Sequence, residues 1–120
     1  MRYKDMSKKL IESFPFLKSS YDKCSSLNGN LTYVLYEDVL NPYVNGLLKN
    51  PEKHEKDLKH VFEFYELMAV SDDEEVRTLL QVALLENIIA YGFYKKAEMY
   101  MGPKTKEICQ KVLTYLNEPE

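Results

Sequence analysis

The sequence predicts an all-α fold: a single-domain antiparallel helical bundle or short α-α superhelix of six to seven helices over residues 1–117, followed by a polar tail at 118–120. Three observations predict it. Apolar residues recur at i, i+3 and i+4 almost throughout the chain. Proline, glycine and asparagine interrupt that pattern at short intervals, as links between consecutive helices do. Leu31–Tyr36 (LTYVLY) is the one stretch with strand-like composition, and a lone strand would have nothing to pair with. The 120 residues, 45% hydrophobic and 29% charged, suit one soluble domain able to build a core without disulfides.

The elements follow in order. Met6, Leu10 and Phe14, with Ile11 beside them, give a first helix over Tyr3–Ser13 that Pro15 interrupts. Phe16, Leu17 and Tyr21 support a further short helix ending near Cys24, and SSLNGN (Ser25–Asn30) reads as a loose turn. Leu31–Tyr36 is then an extended entry to a helix capped by Asp38 or Asn41, with Pro42 in its first turn. Leu40, Tyr43, Val44, Leu47 and Leu48 form its apolar face. Asn50 caps the next helix, whose stripe is Leu58, Val61, Phe62, Tyr65, Met68 and Ala69.

Ser71 and Glu74 form a capping-box pattern in front of the most apolar helix. Val76, Leu79, Leu80, Ala83 and Ala90 line one face of it, while Val82, Leu85, Ile88 and Ile89 make its other sides apolar, so it is the central helix. Asn87 interrupts this run, and a buried amide there is expected to tie a neighbouring loop or helix end. Gly92 ends or bends the helix, Phe93–Met101 makes a short one, and Gly102–Pro103 open the last. Ile108, Val112, Tyr115 and Leu116 face inward from that final helix.

Charge is uneven. Residues 62–90 carry Glu63, Glu66, Asp72, Asp73, Glu74, Glu75 and Glu86 against Arg77 alone, whereas residues 1–23 are mildly basic. An acidic middle argues against nucleic acid and suits a basic protein partner. No apolar run is long enough to cross a membrane, no signal-peptide core is present, and two isolated cysteines fit a reducing cytoplasm. Catalytic motifs are absent, including phosphate loops, nucleophile elbows and metalloprotease helices, so a non-enzymatic protein with no cofactor is expected. His54 and His60 lie six residues apart, too far round the helix to share a metal, and read as surface histidines.

Two features exceed structural need. Asp72–Glu75 places four acids where a cap and one further carboxylate suffice. Ten tyrosines without a tryptophan supply large, stiff contact surfaces of the kind interfaces use.

LIESFPFLKSSYDKC, VFEFYELMAVSDDEEVRTLLQVALLENI and YMGPKTKEI resemble a group of small, all-helical, HEAT-like bacterial proteins. These are similar to the immunity proteins that neutralise polymorphic toxins delivered between bacteria. The resemblance implies a cytoplasmic protein that binds a cognate protein toxin, a basic one, and carries no catalytic residues over. The residues expected to make that contact are Asp72, Asp73, Glu74, Glu75, Glu37, Asp38, Tyr33 and Tyr36. The alternative is a structural or adaptor protein that forms a homodimer through an apolar helix face.

Overall fold

The first helix begins as the sequence predicts, with a 3₁₀ turn at Tyr3–Asp5 leading into α1 (Met6–Ser13). The computed structural model describes residues 1–29 and 31–117; the tail at 118–120 and Asn30 of the expected loop lie outside them. Among the described residues there are seven helical rods and no strand. Met6, Leu10 and Phe14 are fully buried, and Phe14 leaves helical geometry because Pro15 follows it. A 3₁₀ turn at Pro15–Leu17 opens α2 (Lys18–Asn28), which reaches four residues beyond Cys24. Its polar turn-formers bond back into the helix: Ser26 Oγ donates to the Lys23 carbonyl and Asn28 Nδ2 to that of Cys24. Gly29, at φ +69°, ends it.

Only Leu31 is extended. Helix α3 (Thr32–Leu35) starts at once and passes through a π-helical turn, Tyr36–Leu40, into α4 (Asn41–Leu48). Pro42 has no N–H for the preceding ladder, and the wider turn just before it accommodates that loss. Neither Asp38 nor Asn41 caps a helix. Asn41 is buried instead, and its Nδ2 donates to the Ala83 carbonyl at 2.8 Å. Asn50 caps nothing either, because a 3₁₀ turn at Pro51–Lys53 intervenes before α5 (Glu55–Ala69). The α5 stripe is buried as its spacing requires, with Phe64 added.

The central rod is α6 (Glu74–Leu79), a second π-helical turn at Leu80–Leu85 and α7 (Glu86–Ala90). The two π turns pack against each other, and Asn41, the first residue of α4, bonds to Ala83 in the second of them. Asn87 does not make the expected tie through its oxygen, which is buried with no hydrogen-bond partner among the described residues; Asn41 supplies the amide bond to a neighbouring helix. Val82 points outward, so one side of this helix meets solvent. Gly92, at φ +76°, closes α7 with bonds from Phe93 N to Ile88 O and from Gly92 N to Ile89 O, a Schellman ending.

Helix α8 (Tyr94–Glu98) leads to α9 (Pro103–Asn117), which packs on α5, α7 and the second π turn. Cys109 and Val112 are buried, but Tyr115 is 69% and Leu116 46% exposed. Their expected inward placement fails because the buried stripe of α9 stops at Val112, one turn before the helix does. The core is continuous from α1 to α9, with Tyr36, Tyr65, Phe14 and Phe62 its largest fully buried side chains. Each such residue contributes roughly 1.5–3 kcal/mol of transfer free energy, so the core rather than any single polar contact holds these short helices together.

Candidate functional site

The acidic start of α6 is built by two side chains that the local sequence assigns differently. Asp73, not Ser71, is the N-cap, and its Oδ1 accepts from Glu75 N at 3.0 Å. Ser71 Oγ accepts from Asp73 N at 3.1 Å and donates to the Met1 carbonyl at 2.9 Å. The second oxygen of Asp73 accepts from Tyr3 N at 2.9 Å. These bonds fasten the first residues of the chain along the N-terminus of α6. The Tyr3 N–H draws the Asp73 carboxyl below its usual range; partial burial opposes this, while Glu75 N–H, Arg2 and Arg77 assist. Asp73 is therefore occupied by the fold, although it was expected at the binding surface.

The fastening brings Tyr3 beside Tyr33 of α3, with ring centroids 6.3 Å apart and planes tilted by 48°. Tyr3, Tyr33, Glu74, Glu75 and Thr78 enclose a groove of about 370 Å³. Burial raises the Tyr33 hydroxyl above its ordinary pKa, and Tyr3, Glu37 and Glu75 raise it further. Two segments separated by some forty residues, Tyr33–Glu37 and Glu74–Glu75, thus share one electrostatic neighbourhood. Glu37, Asp38, Asp72, Glu74 and Glu75 are exposed. Among the described residues the ion pairs are Lys18–Asp22 and Lys104–Glu107, and neither involves these five acids.

Tyr36 does not belong to the site. It is fully buried, and its hydroxyl donates to the Met6 carbonyl at 2.8 Å. Burial, then Tyr65 and Tyr21, push its pKa far up. It lies on the face of the α3–α4 rod that α1 covers, whereas Tyr33, one turn earlier, reaches the edge. The site residues that the sequence reading missed are Tyr3 and Thr78. Thr78 lies one turn beyond Glu74 and was legible from helical spacing. Tyr3 carried no local signal, because its position depends on a contact seventy residues away.

A larger groove of about 480 Å³ lies on the other side of Glu74 and Thr78, between α6 and α9. Its charges are of both signs and largely engaged. Arg77 Nη1 donates to the Ser71 carbonyl at 2.6 Å, and Lys104 pairs with Glu107. The acid–tyrosine groove is smaller, and the charged residues that line it are Glu74 and Glu75.

The histidines do not converge. His60 bonds the Ser13 carbonyl through Nε2 at 2.8 Å and lies edge-on to Phe14. Among the described residues no three His, Cys, Asp or Glu side chains are grouped to hold a metal ion. No helix among them is long and apolar enough to cross a membrane. No curated protein and no solved structure matches the chain. Residues 7–117 match the family model described as "Domain of unknown function (DUF7674)", and the chain belongs to that family.

Proposed function

We propose that the protein is a binding module whose acidic, tyrosine-containing surface captures a basic protein domain, and that it acts as a cytoplasmic immunity protein against a cognate bacterial toxin. The observation that carries this reading is the meeting of Tyr3, Tyr33, Glu74 and Glu75 around one groove, with Glu37 adding to its field. Exposed carboxylates without internal partners raise the encounter rate with a basic surface and reject acidic ones. Half-buried tyrosines add contact area at small entropic cost. The segment that carries the resemblance to immunity proteins, VFEFYELMAVSDDEEVRTLLQVALLENI, contains the first turn of α6.

The test is capture of a partner by the tagged protein from its native host, followed by co-expression. The expected result is a basic domain recovered at equal stoichiometry, whose toxicity is suppressed by this protein and not by its Glu74→Lys/Glu75→Lys variant. Recovery of only the protein itself as a dimer would favour the adaptor reading. Suppression that survives the double reversal would remove the groove from the interface.

A further inference from the structure

We infer that the groove between Tyr3, Tyr33 and the first turn of α6 receives a single arginine side chain of the partner. This rests on the protein-binding reading above and names the group that the surface recognises. Four properties of the groove point to a guanidinium.

The two rings come from different parts of the fold, Tyr3 from the fastened N-terminal segment and Tyr33 from α3. At 6.3 Å and 48° they do not cover each other's faces, so aromatic surface is left for a third group. The rim is anionic: Glu74 and Glu75 leave the helix there and Glu37 acts on the same hydroxyl, while the groove lining includes no cation. Neither of the chain's own arginines lines the groove: Arg77 donates to the Ser71 carbonyl, and the charge of Arg2 acts on Asp73. The space of about 370 Å³ admits a planar head and its methylene stem together.

A guanidinium meets these terms better than an ammonium. It is flat, weakly hydrated and stacks on an aromatic face while its edge donates to a carboxylate. Lysine offers a compact, strongly hydrated charge that gains less from the rings. Glu75 is the natural acceptor, because it already acts electrostatically on Tyr33. Asp73 is a positioning residue here: it holds Tyr3 in the wall through the backbone and has no carboxylate oxygen left unbonded.

The test is a heteronuclear NMR titration of the intact protein with n-propylguanidinium and, separately, n-butylammonium. Saturable shifts are expected at Tyr3, Tyr33, Glu74, Glu75 and Thr78 with the guanidinium, and about three- to fivefold weaker binding for the ammonium. Tyr33→Leu should weaken guanidinium binding about fivefold. Glu75→Gln, on the exposed rim, should weaken it as well and serves if the first variant folds poorly. Absence of saturation, equal affinity for the two cations, or equal shifts at remote carboxylates such as Asp22 and Glu52 would each overturn the assignment. Those results would leave a captured basic partner standing, so failure of this subsite and failure of the binding reading are separable.

Discussion

Helices α6 and α9 both begin under carboxylates, yet only one of these starts is closed. At α9 a single side chain from another helix does the work: Glu66 of α5 accepts from Lys104 N, Thr105 N and Thr105 Oγ1 at 2.8–3.0 Å. Burial raises its pKa, but the Thr105 and Lys104 bonds outweigh that and hold it below the usual value. Gly102 leaves room for this carboxylate, since a Cβ there would stand 2.5 Å from Glu66 Oε1. At α6 one acid, Asp73, meets the structural requirement, and Asp72, Glu74 and Glu75 remain exposed. A helix needs few carboxylates at its start. The three beyond that need are the ones that the proposed partner would meet.

Removing the closed start should have the largest effect. Glu66→Ala strips three bonds from α9, and a loss of about 1–2 kcal/mol is expected in chemical denaturation, moderated by the partial solvation of the carboxylate. The pH dependence has a definite sign. A group held below its unfolded pKa stabilises the fold fully above that value, 4.5 for Glu66, and loses the contribution as pH falls through the lower folded one. Stability should therefore drop on acidification below about that pH, and the drop should be shallower in Glu66→Gln. An identical acid profile in the variant would show that the Glu66 bonds do not contribute.

Tyrosines 33 and 36 sharpen the contrast between interior and surface. Tyr36→Phe deletes the buried bond to the Met6 carbonyl and should cost about 1 kcal/mol, measured by denaturant midpoint. Tyr33→Phe keeps the ring and should leave the midpoint unchanged within error. Equal losses would mean that Tyr33 is structural and the groove is part of the core.

Asp73→Ala separates fastening from binding. It removes the cap of α6 and releases Tyr3 N. Faster amide exchange at Tyr3 and Glu75, with the α9 start unaffected, is the expected readout. Unchanged exchange at both amides would show that Asp73 does not hold the groove wall.

Particular residues show how far the sequence was legible. The α5 stripe could be read residue by residue, because each of its members repeats at helical spacing and is buried where that spacing puts it. The π turns at Tyr36–Leu40 and Leu80–Leu85 could not, since a shift in the backbone ladder leaves no mark on the order of apolar residues. Ser25–Asn28 misled for a related reason: side chains that favour turns also bond back along a helix when tertiary context extends it. At the candidate site the surplus at Asp72–Glu75 was visible as composition. Tyr33 was placed with these acids, but the wall that Tyr3 supplies was not legible, because it depends on the Tyr3–Asp73 bond between distant parts of the chain. Tyr36 was misplaced because the cover that buries it belongs to α1, thirty residues earlier.

The most direct measurement is the affinity of the captured partner for the wild-type protein and for Glu74→Lys/Glu75→Lys, alongside the denaturant midpoint of each. The surplus acids predict at least about tenfold weaker binding, as loss of close charge pairs across an interface gives. The reversal also sets two lysines at a helix start that favours anions, so a stability loss of about 1 kcal/mol is expected with it. Unchanged affinity in the folded variant would contradict the claim that the surplus acids of this helix start serve a partner.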